Sequence, residues 1–363
     1  MKNIIAIYPA FNIGINEMAN VWLKITQLFE VNLIVITNTV DYYKNFESKE
    51  GVEKYGNITI FRMKKIKISN LMPIIKKIGS VDLVFCAVHI NKNISLKLAR
   101  YFNCITILHT EFFFSESFLP RGKKIYIKLG IQKFINFLFR KYLENKFDII
   151  ITSNPKEKVF VNNKNFFYLP WPISKREKRQ SLNISLPEIY GIYIGSISKF
   201  KDSKILFEFI DYALSNLTEL NFVIIGPFFD HFSNNRFFRL KKKFNQRIKY
   251  LPKVGNEYIE SIIEKSLFTF VPSQNLCWGL INDSLQLNKI IIAVNESYEL
   301  INNKNALIVN SKFEFVEKIK YLLNNNIFTD NIINKNIIQE HSLESVSFSL
   351  FNILNSSKTI QSL

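Results

Sequence analysis

The chain has 363 residues, 47% of them hydrophobic, and carries a formal net charge of +18. That length predicts two domains rather than one core, and that apolar content excludes a disordered chain. No apolar run reaches the ~18 residues of a bilayer-spanning helix, while the surplus of lysine and arginine sets up a field that attracts phosphates, anionic lipid or nucleic acid.

The chain opens MKNIIAIYPAFN, a lone lysine and then a short apolar run broken by Pro9. The run is short for a signal peptide and lacks a small-residue cleavage site, so it reads as a first core strand, Asn3–Tyr8, in a cytoplasmic protein. In the loop behind it, AFNIGINEMAN supplies Asn12 and Gly14; a lone glycine there ordinarily marks a turn. Further strands are expected at Asn32–Thr37, Ile58–Arg62, Asp82–Val88, Ile105–His109 and Ile149–Thr152. A second series follows at Gly191–Gly195, Asn221–Gly226, Ile248–Leu251, Phe268–Val271, Ile290–Val294 and Ala306–Val309. Amphipathic patterns such as Met18–Phe29 and Ser203–Asn216 lie between them. Continuous apolar strands alternating with helices mean parallel sheets covered on both faces. The fold class is therefore α/β, with two doubly wound, Rossmann-like domains. Tyr168–Leu186, with Pro170, Pro172 and the run KREKR, has the composition of a linker. It divides the chain into domains at 1–180 and 181–340, followed by a tail at 341–363 expected as a helix packing back on the first domain. In such sheets ligands bind beyond the carboxyl ends of the strands, so two facing domains would enclose a cleft. Cys86, Cys104 and Cys277 are odd in number and sit in or beside apolar segments; they read as buried free thiols without metal spacing.

Three segments carry the candidate chemistry. In GIYIGSISKFKDSKILFEFI a strand ends at Gly195, a loop carries Ser198, Lys199 and Lys201, and a helix begins near Asp202 or Ser203. A lysine there sits where backbone N–H groups and the helix dipole also favour an anion; it is equally one of many solvated lysines. In PSQNLCWGLINDSLQLNKIIIA a single carboxylate, Asp283, follows Trp278 and Gly279; taken alone it is a helix N-cap. In CITILHTEFFFSESF, His109 ends an apolar strand, a position more often structural than functional.

The order of these segments resembles the family-4 glycosyltransferases of the two-domain GT-B fold, which transfer sugars from nucleotide donors. The family pattern has a glycine-arginine pair after a strand, then a lysine opening a helix. Here Gly195 and Lys201 fit, and Ser196 stands where arginine is usual. The pattern continues with a strand ending in glycine (Gly226) and a loop near the nucleobase (Leu251–Val254). Then come Pro272, Ser273, an aromatic-glycine pair (Trp278, Gly279) and a helix-opening acid (Asp283). A later acid before a turn corresponds to Glu299. The first acid of the family's pair is missing; Leu276 occupies its place. The resemblance covers residues 188–325 well, and the first half in architecture and a few positions. It implies that Gly195, Lys201, Gly226, Val254, Trp278, Gly279, Asp283 and Glu299 bind the donor, Lys201 at the diphosphate and Asp283 at the ribose hydroxyls. It further implies that His109 faces the transferred sugar, with Asn12 and Gly14 as weaker members of the site. The implied partners are a nucleotide sugar and a glycan or lipid-linked acceptor, in bacterial surface polysaccharide synthesis. No cofactor and no metal are implied, in keeping with the lack of an Asp-x-Asp motif.

Phe118–Phe147 interleaves Arg121, Lys123, Lys124, Lys128, Lys133, Arg140 and Lys141 with apolar residues at helical spacing. Such a helix can lie in an anionic membrane interface, or be an ordinary surface helix with its lysines in water. The sequence carries neither a helix-turn-helix nor an RNA-binding signature, so nucleic acid is not an expected partner. The alternative to an enzyme is a catalytically degenerate relative serving as a binding or partner module.

Overall fold

The computed structural model describes residues 2–13, 17–39, 49–87, 91–110, 141–153, 165–173, 185–199, 202–272, 278–294, 305–325 and 331–360. The chain separates into two compact units, Met1–Ile173 with Glu340–Leu363, and Ser174–Gln339.

The first unit is built on an eight-stranded sheet. Its elements are β1 (Lys2–Tyr8), α1 (Glu17–Leu28), β2 (Val31–Asn38), β3 (Gly51–Tyr55), β4 (Ile58–Met63), α2 (Ile68–Ile75), β5 (Leu83–Ala87), α3 (Lys92–Phe102), β6 (Ile105–Thr110), β7 (Ile149–Thr152) and β8 (Phe166–Tyr168). The order across the sheet is β3-β4-β2-β1-β5-β6-β7-β8. All neighbours run parallel except β3, which pairs antiparallel with β4. β1 lies centrally, and Ile4, Ile5, Ala6 and Ile7 are fully buried because helices cover both faces. On α1 the buried Met18, Val21, Trp22 and Ile25 recur at helical spacing and face that sheet.

Two strands were not anticipated. β3 has no buried face, so it shows no apolar alternation; it is held by pairing to β4 across a tight turn at Gly56, where φ is +56°. β8 is a three-residue strand at the opposite edge.

The second unit holds β9 (Tyr190–Ile194), α4 (Ser203–Asn216), β10 (Asn221–Ile225), α5 (His231–Lys243), β11 (Ile248–Leu251), α6 (Asn256–Lys265), β12 (Phe268–Val271), α7 (Trp278–Gln286), β13 (Ile291–Val294), β14 (Leu307–Val309), α8 (Lys312–Asn324) and α9 (Asn331–Glu340). Its six-stranded sheet is parallel throughout in the order β11-β10-β9-β12-β13-β14. Numbered within the unit this is the 3-2-1-4-5-6 order of dinucleotide-binding sheets, with the reversal between β9 and β12. Gly191, the second residue of β9, leaves room for a Phe268–Phe222 edge-to-face pair; a Cβ there would stand 2.4 Å from the Phe268 ring.

α10 (Leu343–Ile360) closes the first unit, although it follows the second in sequence. It packs along α1, with Phe351 stacked on Phe29 at a centroid distance of 3.6 Å and Lys24 paired with Glu344 at 3.0 Å. Val346, Leu350 and Leu354 are fully buried in the same core as β1 and Trp22. Among the described residues no helix is long and apolar enough to cross a membrane. Cys86 is a buried thiol outside any disulfide, and burial pushes it up to about 12; Cys104 is only half-buried, not buried as expected, and Cys277 lies outside the described residues.

Leu350→Ala should destabilise the first unit by about 2–5 kcal/mol, because a fully buried leucine leaves a cavity. Urea unfolding is the measurement, and Asn352→Ala on the exposed side of the same helix is the control that should change little.

Candidate functional site

The carboxyl edge of the second sheet is where its fold binds ligands, at the reversal between β9 and β12. There the chain leaves β9 at Gly195 and leaves β10 at Gly226. Both adopt positive φ, +152° and +135°. The two backbones touch so closely that a Cβ on Gly226 would lie 2.0 Å from the carbonyl oxygen of Gly195. Gly195 N–H donates to Ile225 O at 3.0 Å and Gly226 N–H to Leu251 O at 3.0 Å, so the three strand ends are laced in sequence. Tyr250 on β11 donates its hydroxyl to Gly226 O at 2.9 Å, and Tyr193 donates its own to Ser196 O at 2.9 Å.

Beyond Gly195 the loop is fixed from the neighbouring helix. Ile197 pairs with Phe228 as an isolated bridge, and Lys199 N–H donates to Asp230 Oδ2 at 2.8 Å. Asp230 is also the N-cap of α5, accepting from Ser233 N–H at 2.7 Å and from the Ser233 hydroxyl at 2.9 Å. The Ser233 hydroxyl in turn meets that of Ser203, the first residue of α4, at 2.6 Å. Burial opposes ionisation of Asp230, yet the bonds from Ser233 and Lys199 together with the Lys199 charge outweigh it and hold the carboxyl below its ordinary range. Asp202, just before α4, takes a left-handed conformation with φ +52°.

Asp283 is 3% exposed and lies at the sixth position of α7, among buried Asn282 and Ser284. The N-cap expected for it is therefore not what the structure places there: the carboxylate belongs to the body of a helix rather than to its start. The Ser284 hydroxyl donates to Leu280 O at 2.5 Å and meets the Thr269 hydroxyl at 3.0 Å, pinning α7 to β12. Gly279, in the first turn of α7, faces open space, with no heavy atom within 4 Å of where a Cβ would stand. Trp278 opens the helix; its side chain is outside the described part. Val254 lies half-buried in the loop after the edge strand β11, two strands from β9.

Gly195 and Gly226 are thus brought into contact. Gly279 and Asp283 share the helix after β12, on the other side of the reversal. Lys201, Glu299 and Gly14 lie outside the described residues, as do His89 and Leu276. Sequence reasoning missed Asp230 and Ser233, although an aspartate directly before a helical pattern is an N-cap signal. It also missed the partner of His109.

In the first unit, His109 is the penultimate residue of β6, one short of the strand end expected for it, and pairs with Ala87 on one side and Ile151 on the other. It is 2% exposed, and its Nε2 lies 2.8 Å from Ser153 Oγ. Burial pulls its pKa down to about 4, so the ring is neutral at pH 7. It offers a hydrogen bond, not a positive charge. Asn12 lies in the loop after β1, half-buried, beyond Phe11, whose carbonyl accepts from Arg62 Nη1 at 2.9 Å. His231 is exposed at the start of α5, and His341 is buried with Nδ1 2.9 Å from Trp171 O. Among the described residues no group of three His, Cys, Asp or Glu side chains gathers to hold a metal ion.

Two predictions follow from this geometry. Gly226→Ala should lower the melting temperature through the collision with Gly195, whereas Gly279→Ala should stay within about 1 kcal/mol of wild type or stabilise, since alanine is the better helix former and meets nothing. Calorimetry on the two variants separates them. For His109, the folded state excludes a proton that the unfolded state binds below about pH 6.5, so stability is full above that value and falls as pH drops towards 4. Between pH 7 and 5 the loss attributable to this ring is about 2 kcal/mol. Urea unfolding of His109→Gln should show that part of the slope removed.

The fold has relatives among solved structures. It is similar to trehalose-6-phosphate synthase OtsA with a TM-score of 0.68 at 11% identity, over 98% of this chain and 99% of that one. It is similar to an alpha,alpha-trehalose-phosphate synthase (UDP-forming) from Burkholderia vietnamiensis, with a TM-score of 0.66 at 9% identity, over 98% of this chain and 100% of that one. A third, HepE of Anabaena in complex with UDP and glucose, gives 0.64 at 10% identity over 98% and 100%. No protein-family model matches the chain, and no curated protein matches it by sequence. At such identities the likeness establishes the fold, which is GT-B.

Proposed function

We propose that the protein is a glycosyltransferase that moves a sugar from a nucleotide-diphosphate donor to a glycan or lipid-linked acceptor. One observation carries the reading: a 3-2-1-4-5-6 sheet whose carboxyl edge is shaped by the Gly195–Gly226 contact, with Asp283 on the helix after the reversal, inside a GT-B fold. HepE of Anabaena, similar in fold, was solved in complex with UDP and glucose, which supports a nucleotide sugar as the donor.

In the reaction, the bond from the anomeric carbon to the diphosphate oxygen breaks, and the nucleoside diphosphate leaves with the electron pair. The acceptor hydroxyl forms the new glycosidic bond and passes its proton to the departing diphosphate oxygen. Lys201 neutralises the charge that grows on the leaving diphosphate, which is where a fixed cation lowers the barrier most. Asp283, as an acceptor-only carboxylate, holds the ribose diol. His109, neutral at physiological pH, hydrogen-bonds a sugar hydroxyl. The anomeric configuration is retained and no metal takes part. The setting is the cytoplasmic side of the membrane during assembly of a surface polysaccharide, with Phe118–Phe147, of which 118–140 lie outside the described residues, as one contact with anionic lipid.

Ser196 in place of arginine and Leu276 in place of the family's first acid favour a second reading, a binding or partner module on the same fold. Isothermal titration against a panel of nucleotide sugars decides between them. Saturable binding of one donor, weakened at least about tenfold (1.4 kcal/mol) by Lys201→Ala and by Asp283→Asn, is the expected result. Failure to bind every donor in the panel would favour the module, and unchanged affinity in both variants would remove this donor site.

A further inference from the structure

The described residues expose five phenylalanines, Phe229, Phe232, Phe238, Phe313 and Phe348, and the first three fall within ten residues at the start of α5. Phe238 is 60% exposed. Clusters of this kind on a water-facing helix mark interaction surfaces. The charge around them is one-sided. Between Asn221 and Tyr250 the chain has seven basic residues and a single acid, Asp230, which is taken up by Ser233 and the backbone of Lys199.

The basic residues divide into two groups. Some are used internally: Lys243 pairs with Asp211 at 2.6 Å, Arg236 reaches Glu208 at 3.4 Å, and Arg247 donates to the carbonyls of Leu214 and Leu220 at 2.8 and 2.7 Å. Arg239 and Lys242 are not. Both are exposed, form no ion pair with any described residue, and lie with Phe238 opposite the buried Ser233, Phe237 and Leu240. The helix turns one cationic and aromatic side to water.

We infer that this side of α5, centred on Phe238, Arg239 and Lys242, docks the second unit onto an anionic membrane surface. A helix lying in the plane of the headgroups sinks apolar tips a few ångströms into the acyl boundary while its basic residues meet lipid phosphates. Phenylalanine, with no polar atom, suits that depth. Nucleic acid is the less fitting occupant. Base stacking needs open aromatic faces, and the Phe232 ring is already engaged by the Lys199 ammonium at 4.5 Å and the Arg236 guanidinium at 4.6 Å. None of the three central residues belongs to the donor site, so the inference stands on the surface alone and survives failure of the sugar-transfer reading.

Co-sedimentation of the full chain with vesicles tests it, using phosphatidylcholine alone and phosphatidylcholine mixed with phosphatidylglycerol. Binding is expected to the mixed vesicles only and to weaken with salt. Arg239→Glu with Lys242→Glu should reduce it about tenfold, and Phe238→Ser should reduce it several-fold. All three positions are exposed, so melting temperatures should match wild type. A variant with Lys123, Lys124 and Lys128 made neutral should keep the part of the binding that the double charge reversal removes. Equal pelleting by wild type and the charge-reversed variant overturns the inference. So does equal binding to neutral vesicles, or single-stranded RNA binding that these substitutions abolish while pelleting persists.

Discussion

The contact between Gly195 and Gly226 governs the carboxyl edge of the second unit. Two strands that leave a sheet side by side must turn away from it, and ordinarily their side chains keep the turns apart. Here neither residue has a side chain, and Gly226 could not carry one without driving into the Gly195 carbonyl. The β9 chain therefore turns off low and close to β10. The loop that follows reaches the start of α5, where Asp230 captures the N–H of Lys199. One carboxylate thereby satisfies orphan donors of a helix and fixes a loop from the adjacent strand, so the position of α4 depends on the glycine pair and the cap together.

The central strands of both sheets were legible because they are buried on both faces, and burial of that kind writes itself as runs of Ile, Val, Leu and Phe. β3 was illegible for the same reason reversed: GVEKY has no buried face, and only its pairing to β4 makes it a strand. The Gly195 and Gly226 positions could be read because strand-ending glycines are conspicuous in an apolar context. Their mutual contact could not, since it joins residues thirty-one apart through a register that only the folded sheet defines. Asp283 was found as a residue but misplaced as a cap. An acid followed by Ser and an apolar run looks like a helix start, and the helix begins earlier, at Trp278. Ser153 escaped notice because a serine forty-four residues from His109 carries no local signal.

The large positive charge is not spread evenly in its use. Lys241 gives its donors to the carbonyls of Asn245 and Ile248, between α5 and the first residue of β11, while Arg247 reaches those of Leu214, Leu217 and Leu220, at the end of α4 and in the turn before β10. Burial lowers the pKa of both, as expected of cations drawn into protein. Their neighbours Arg239 and Lys242 have no such employment. Two lysines and two arginines of one short segment therefore do different physical work, and composition alone could not have separated them.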